Sequence, residues 1–596
     1  MTSATGELAN PATIALPGTS ARAQARWIAR AGIVGLAVAT TVALRLTMVL
    51  PDVPNRHALT DDAARRVMLD VDAADALIGG DLLELAGSVV ASETGSLLRL
   101  VSAPAHVLAG SAHALAVELG VSLGFTALLL LVLGLAARCV GRSAGEAVVI
   151  LAISTLILLG NRDLLGQAVS GTLEMPSAVF TLASAAAWLA SRASRTYRPW
   201  AVVLLGNALF HVSFQDGLML AAAVLLVEAG EAGWSRPPSA VLSALFRGAR
   251  SPVGLPLLAL GLTVLLGGWW LVRTGGLSAT LFGQEVSLRD ARDPVALGAP
   301  LLFLFVEYAF WHERVWLAAE IPRRARFLWK WLLTPMVAWV LVPFTWRLQT
   351  LAAGAASGGD RVGPGSVQEW LLSTSRTAGE AWVPSGAPWI VVALLCGSIL
   401  AAIRSSVTRR VLVSLGALVL FEVAFLTVLR HGNLQAPLIV HLAPLVALCA
   451  VAWVPAVTRT SRLVLGAGAA AALLWAVLPL WRGPELVATL SRGFESTANG
   501  DACREVARAL PISRGVLVNE TAPDRFATCA LWVKLFARER GAQVLIREPW
   551  NRPGRHEVLL LEDGTVPTGL RSGLVPLGAQ AHHGPVRGER YLAEAP

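Results

Sequence analysis

Long apolar runs alternate with short polar segments across residues 31–481. Each run has about the 20 residues that a helix needs to cross a bilayer, or falls slightly short where tilt or thinning can compensate. The pattern predicts about thirteen membrane-spanning helices. The runs start at Ala31, Ala114, Glu146, Glu174, Trp200, Asp216, Val253, Leu297, Trp329, Gly386, Val411, Gln435 and Leu463.

The charged residues between these runs are sorted by sign. Lys and Arg beside a span resist translocation, so the arginine-rich loops are predicted to be cytoplasmic, together with the N-terminal tail, residues 1–30. The alternate loops carry acidic residues and are predicted to face outward. The basic loops contain Arg138, Arg142, Arg192, Arg195, Arg247, Arg250, Arg323, Arg324, Arg404, Arg409 and Arg459, and the acidic loops contain Asp61, Asp163, Asp216, Glu285, Asp290, Asp360 and Glu380.

Composition favours the membrane interpretation. Of 596 residues, 55% are hydrophobic and only 15% are charged, and a soluble chain of this kind would need a larger interior than a single-core domain provides. The net charge of +9 does not indicate a nucleic-acid partner, because the basic residues are scattered between apolar runs instead of being clustered on one face.

Residues 482–596 have a different pattern, in which two amphipathic segments alternate with short apolar ones. "GDACREVARALP" and "DRFATCALWVKLFARERG" are predicted to be helices, and "GVLVNE", "AQVLIREP" and "EVLLLEDG" to be strands. This alternation predicts a small α/β domain with a parallel sheet. An odd number of spans places it outside, where an oxidising compartment would allow Cys503 and Cys529 to form a disulfide.

The first outer loop, residues 51–113, concentrates acidic and basic residues after Thr60, which can cap a helix. One interpretation is an amphipathic helix on the membrane surface. The other uses Asp61 or Asp62 as a general base and Arg65 and Arg66 as partners of a phosphate. In the same loop Asp70 and Asp72 form a DxD pattern. Such a pair can hold a divalent metal, although it also arises by chance in acidic loops.

Further polar residues are predicted at the outer edge of later spans. Glu174 enters an apolar helix, which is costly unless it faces a polar cavity, but a carboxylate at a helix start is also favoured by the dipole. Arg430 and His431 lie in a very short outer loop ahead of His441, where they either bind a lipid phosphate or anchor the interface. Arg162 and Asp163 stand at the same predicted edge.

The order of these segments resembles the GT-C superfamily of membrane glycosyltransferases, in particular the protein O-mannosyltransferases and the aminoarabinose transferases of lipid A. The resemblance is carried by the acidic pair Asp61-Asp62 with "AARRVMLDVDAADALIGGD" after it. It continues in "TGSLLRLVSAPAHVLAG", "LEMPSAVFTLASAAAWL", "GEAWVPSGAPW" and "RHGNLQAPLIVHLAP". Asp62 stands where the family often has glutamate.

The resemblance implies a mostly α-helical polytopic membrane protein of GT-C type, with a transmembrane domain over residues 31–481. It implies a sugar donor linked to polyprenyl phosphate and a lipid, protein or glycan acceptor on the periplasmic side of a bacterial inner membrane. Asp61 or Asp62 would then be the base, and the anomeric carbon would be inverted. The departing phosphate would be bound by Arg430, with His431 beside it, and by Arg65 or Arg66. Arg162, Asp163 and Glu174 would orient the substrates. No cofactor is firmly implied, and a divalent metal stays open.

Two other functions fit parts of the pattern. A transporter or flippase of a lipid-linked or anionic substrate requires polar residues within several spans and broken helices in paired positions. A polysaccharide ligase or polymerase would place its arginines in one large late outer loop, whereas the charge-rich loop here is the first. There is no HExxH or P-loop pattern in the sequence, so zincin and P-loop NTPase chemistry lack their signatures.

Overall fold

The computed structural model of the chain describes part of its length, and everything stated below about the structure concerns those residues. They are 61–83, 85–86, 96–109, 114–141, 143–161, 163–164, 167, 173–193, 199–231, 237–273, 277–281, 284–288, 292–315, 323–341, 367–382, 388–429, 439–457, 516–518, 546–547, 558–562, 574–583 and 586–593. The N-terminal tail, the predicted spans at Ala31 and Leu463, and both cysteines of the C-terminal region lie outside them.

The chain is mostly helical, as the apolar runs predicted. The helices are α1 (Asp61–Gly79), α2 (Ser96–Ala109), α3 (Ala114–Val140), α4 (Ala144–Leu159), α5 (Glu174–Ala193), α6 (Trp200–Val212), α7 (Phe214–Glu231), α8 (Pro237–Ala249), α9 (Gly254–Arg273), α10 (Arg292–His312), α11 (Arg323–Leu328), α12 (Thr334–Leu341), α13 (Val367–Trp382), α14 (Pro388–Arg404), α15 (Ser406–Leu429), α16 (Ala443–Ala450) and α17 (Val454–Val457). A π-helical turn, Trp329–Leu333, joins α11 to α12.

The prediction of about thirteen spans is not confirmed. Within the described part of the chain, one helix is long and apolar enough to cross a membrane, the Gly120–Val140 part of α3. A second candidate is the pair Val241–Ala249 and Gly254–Gly268, which is bent by 97° at its break. Several of the other apolar helices are shorter: α6, with 13 residues, is only about 20 Å long at 1.5 Å per residue, against a hydrocarbon core of about 30 Å.

Several of these helices turn large apolar side chains outward. On α14 the side chains of Trp389, Ile399 and Ile403 are exposed, whereas the hydroxyl of Ser398 is buried and donates to the carbonyl oxygen of Ala450 at 3.0 Å. α9 likewise exposes Leu255, Leu260, Leu262, Leu266 and Trp270. The apolar residues of these two helices therefore form much of their outer surface.

Two compact units make up the chain. The first contains described residues of 129–163 and 177–472, and the second contains those of 61–128, 164–176 and 473–596. In the first unit α7 packs against α6 and α15, and α16 packs against α4, α14 and α15. Leu209, Leu415 and Leu445 are fully buried in this unit.

The α6–α7 connection depends on a close approach at Gly217. A Cβ atom at this position would lie 2.5 Å from Cα and 2.7 Å from the backbone nitrogen of Phe210. Those atoms belong to the main chain and cannot rotate away. The absence of a side chain therefore allows α7 to fold back against α6.

Gly217→Ala is expected to lower the thermal unfolding midpoint of the full chain in detergent, because overpacking of this kind costs about 1–3 kcal/mol. Gly230→Ala is the matched control on the same helix, since a Cβ at Gly230 would meet no atom within 4 Å. There, alanine is neutral or slightly stabilising, by up to about 1 kcal/mol. Equal midpoints for the two variants would contradict the close approach.

In the second unit α1 packs on α2. The apolar side of α1 contributes Val67, Val71 and Ala74, all fully buried, and Ala74 meets Ala103 of α2 in a small core. The helix over the acidic segment is confirmed. Its apolar stripe is covered by α2, so this side of the helix is not the face that would lie on a membrane surface.

The strands of the C-terminal region form a five-stranded sheet in the order β4-β3-β5-β7-β6. They are β3 (Val516–Val518), β4 (Ile546–Arg547), β5 (Val558–Glu562), β6 (Leu574–His583) and β7 (Val586–Ala593). β3 pairs in parallel with β4 and β5, but β7 is antiparallel to β5 and β6. The sheet is therefore mixed, not wholly parallel as predicted. The helices predicted between the strands lie outside the described residues.

Four elements fall where the sequence predicted only loops. α8 occupies the basic loop between two predicted spans, and α13 occupies an acidic outer loop. β1 (Leu277–Leu281) and β2 (Gln284–Leu288) form an antiparallel hairpin in another outer loop. The glycine-rich segment Ala352–Ser366 lies outside the described residues.

Candidate functional site

The predicted base residues stand at the start of α1. Asp61 is the first residue of this helix, and carboxylates are favoured near a helix N-terminus by the partial positive charge of the unpaired amides. Asp62, Arg66 and Asp70 follow one another at four-residue spacing, so they occupy one stripe of the helix. Asp61 lies about 100° around the helix from Asp62. The side chains of Asp61, Asp62 and Arg65 lie outside the described part.

Asp70 is the centre of a buried charge cluster. Its carboxylate is 1% exposed and lies between two arginines, with Nε of Arg66 3.7 Å from Oδ2 and Nε of Arg99 3.8 Å from Oδ1. Arg99 belongs to α2 and is 3% exposed. One negative charge therefore holds two cations at the α1–α2 interface.

Burial lowers the pKa of the Arg99 guanidinium below its ordinary value. Asp70 and Asp72 oppose this change by stabilising the charged form, and the positive charge of Arg66 adds to the lowering. The interaction with Asp70 therefore offsets part of the cost of burying the guanidinium.

A small pocket opens beside this cluster, entirely within the second unit. It has space for about one water molecule, which is too little for a sugar ring. Its wall is mainly apolar, although Arg66, Asp70 and two serines are among the lining residues. The lining residues are Arg66, Asp70, Leu98, Ser102, Val121, Ser122, Phe125 and Pro176.

The helical conformation argues against the DxD metal pair. Asp70 and Asp72 are two residues apart on α1, so their side chains leave the helix about 200° apart. Asp70 is also engaged with Arg66 and Arg99. These two carboxylates cannot converge on one ion while α1 stays helical.

A second polar cluster lies in the first unit, where Asp216, Glu422 and His441 meet. One ligand atom from each lies within 4.8 Å of the others. Nε2 of His441 is 2.7 Å from Oε1 of Glu422 and 3.9 Å from Oδ2 of Asp216. Their exposures are 9% for Asp216, 3% for Glu422 and 2% for His441, so all three are taken out of solvent.

Local structure explains how each member reaches this point. Ser213 ends α6, and its hydroxyl accepts from the backbone N–H of Asp216 at 3.5 Å. That contact is the N-cap bond that fixes the first turn of α7. Glu422 lies in the second half of α15, and His441 lies in a 3-10 turn, Val440–Leu442, that leads into α16.

Glu422 is the member of this cluster that sequence reasoning missed. It stands alone in the apolar run "ALVLFEVAFLTVL". A carboxylate inside such a run is costly to bury and is by default a functional hypothesis, so its isolation was a usable signal. Asp216 and His441 were visible in sequence, but 225 residues separate them, and only the fold brings them to one point.

The other predicted site residues are distributed over both units. Glu174 is the first residue of α5 and is half-buried, in the helix-start position that the dipole favours. Asp163 is half-buried and follows the buried Asn161, whose side-chain amide donates to the carbonyl oxygen of Ala381. Arg162, Arg430 and His431 lie outside the described residues.

A third cluster of buried polar residues, also in the first unit, links α5, α7 and α15. Glu228 of α7 accepts from the indole N–H of Trp188 at 2.8 Å and lies 3.6 Å from Nε of Arg192, with both partners on α5. Arg192 also donates to the hydroxyl of Ser414 on α15 at 2.5 Å. Each polar group is matched by a partner on another helix, as expected of a structural network.

Two arrangements of polar side chains are therefore candidates for a functional site. They are the arginine-flanked aspartate of α1 and the Asp216–Glu422–His441 cluster. The first follows the acidic pair that sequence analysis identified. The second joins three helical segments that are distant in sequence.

Comparisons with protein-family models, with curated proteins and with solved structures found no match to this chain.

Proposed function

We propose that the protein is an integral membrane glycosyltransferase of GT-C type. It moves a sugar from a polyprenyl-phosphate donor to a lipid, protein or glycan acceptor on the periplasmic face of a bacterial inner membrane. The observation that carries the proposal is the structured acidic segment: α1 begins at the acidic pair and places Asp62 on one stripe with Arg66 and Asp70.

The surface of the helical region supports the membrane part of the proposal. α9 and α14 expose bulky apolar side chains, while α14 turns a serine hydroxyl inward. Contiguous apolar surface on a monomer marks a place that is covered by lipid or by another protein. Exposed apolar residues beside buried polar ones are what a lipid-facing helix requires.

Electrostatics of α1 support the catalytic part. A base must take the proton of the acceptor hydroxyl, and cations must stabilise the departing phosphate. The first turn of α1 carries the acid, and Arg66 stands one turn later. Asp70, one turn further along α1, forms an ion pair with Arg66. This ion pair restrains the Arg66 side chain on the stripe of the helix that also carries Asp62.

The second candidate is a transporter or flippase of a lipid-linked or anionic substrate. The buried Asp216–Glu422–His441 cluster favours it, because ionisable groups inside apolar helices often mark ion or proton pathways. A polysaccharide ligase or polymerase remains a variant of the first proposal, because it uses the same kind of donor with a glycan acceptor.

A transfer assay separates these functions. The purified full chain in lipid vesicles is given radiolabelled polyprenyl-phosphate monosaccharides together with a membrane extract containing lipid, protein and glycan acceptors. We expect label to enter one acceptor fraction and free polyprenyl phosphate to accumulate, with no transfer from nucleotide sugars. Movement of intact donor between the leaflets without its consumption would overturn the proposal in favour of transport.

A further inference from the structure

The Asp216–Glu422–His441 cluster has the composition and shape of a metal-ligand set. We infer that it binds one divalent transition-metal ion, with one imidazole nitrogen and two carboxylate groups as protein ligands. This inference is independent of the proposed function, because it rests on the three side chains alone.

Chemistry of the donor atoms selects the class of ion. Neutral imidazole and carboxylates suit Zn²⁺ and its first-row neighbours, whereas Mg²⁺ and Ca²⁺ take oxygen ligands almost exclusively. The two carboxylates bring negative charge into a site that excludes solvent, and a divalent cation balances it. Three protein ligands leave a fourth tetrahedral position open to water or substrate.

Distances in the cluster are close to those of a bound ion. Metal–ligand bonds of about 2.0–2.2 Å in a tetrahedral site separate neighbouring ligand atoms by about 3.4 Å. The contact between Nε2 of His441 and Oε1 of Glu422, at 2.7 Å, has to open, and the 3.9 Å contact to Asp216 has to close. Each of these two changes is below about 1 Å. The carboxylate oxygens of Asp216 and Glu422 lie within 4.8 Å of each other, so side-chain rotation can bring all three ligand atoms around one ion.

The backbone already restricts the three ligands. Asp216 is fixed by the Ser213 cap and His441 by its 3-10 turn, and Glu422 is carried by the 24-residue α15. A ligand set drawn from three packed segments loses little conformational freedom when it binds an ion. The ion would join the first turn of α7 to α15 and to the segment entering α16.

Zinc binding by the full chain tests the inference. Chain purified without a polyhistidine tag and stripped with a chelator is titrated with Zn²⁺ by calorimetry, with excess Mg²⁺ as competitor. We expect one ion per chain, no displacement by Mg²⁺ and a higher thermal unfolding midpoint, because a ligand that binds only the folded state stabilises it. Absence of stoichiometric binding would overturn the inference.

Variants then identify the ligands. Glu422→Gln and Asp216→Asn are each expected to weaken Zn²⁺ binding at least tenfold, since loss of even outer-shell partners costs about 10- to 100-fold. Glu307→Gln is the matched control. Its carboxylate accepts from the Thr334 hydroxyl on a different helix pair, and glutamine preserves that acceptor. Unchanged binding by both cluster variants would refute the assignment.

X-ray absorption of the zinc-loaded wild-type chain decides the matter even if a variant fails to fold. We expect one imidazole and oxygen ligands at about 2.0–2.2 Å. A sulfur shell at about 2.3 Å would show that cysteines hold the ion instead, and it would overturn the site.

Discussion

Replacing Asp70 with asparagine will lower the free energy of unfolding of the full chain by about 3–5 kcal/mol, because removal of one member of a buried ion pair leaves an uncompensated charge. Two guanidinium groups depend on this carboxylate, and one of them, on Arg99, is almost fully buried. Thermal or denaturant unfolding in detergent, followed by helical circular dichroism, measures the loss.

The control for this variant is Asp75→Asn on the same helix, since the Asp75 side chain is exposed. A change there is expected to stay within about 0.5 kcal/mol, as is usual for surface substitutions. A double-mutant cycle with Arg99→Gln tests the mechanism. The combined loss will be smaller than the sum of the single losses, because the second substitution removes a charge that the first has already left unpaired. Simple additivity would show that Asp70 and Arg99 do not interact.

Under the proposed glycosyltransferase function, replacing Asp62 with asparagine is expected to reduce sugar transfer by about 10²- to 10⁴-fold, the contribution that a positioned general base usually makes. Asparagine is nearly isosteric but cannot accept the proton of the acceptor hydroxyl. Initial rates in the vesicle assay measure the loss, and the thermal midpoint of the variant verifies that it is folded.

Asp61→Asn serves as the comparison, because Asp61 starts the helix about 100° away from the stripe that carries Asp62 and Arg66. Its rate is expected to fall less than tenfold. If Asp61→Asn alone is inactive, the roles of the two aspartates are exchanged. Full activity in both variants would eliminate the acidic pair as the base and leave the donor chemistry without its main support.

The sequence was informative about where helices begin. Predicted starts at Ala114, Glu174 and Trp200 coincide with the first residues of α3, α5 and α6, because apolar runs and adjacent turn residues are encoded locally. The amphipathic segment after Asp61 was also foreseeable, since its apolar residues recur at helical spacing.

Helix lengths and tertiary clusters were harder to predict from the sequence. A 13-residue helix such as α6 and an interrupted span look alike when hydropathy is averaged over about 19 residues. The break between α6 and α7 lies at Ser213, which is the N-cap of α7. This capping role can be identified only when the reversal of the chain between the two helices is known. Asp70 and Arg99 form an ion pair between two separate helices, α1 and α2. Glu422 and Asp216, which also lie close together, are 206 residues apart in the sequence. Neither pairing leaves a periodic signal.

Under the proposed membrane location, the right-angled bend between α8 and α9 has a further consequence for the depth of the protein in a bilayer. When α9 runs along the membrane normal, a bend of 97° makes α8 lie in the membrane plane. Its exposed Leu242 and Phe246, four residues apart on one side of α8, would then rest among the acyl chains, and Arg247 would stand nearer the head groups. α8 would thus set the height at which α9 enters the bilayer, and it would resist movement of α9 along the membrane normal.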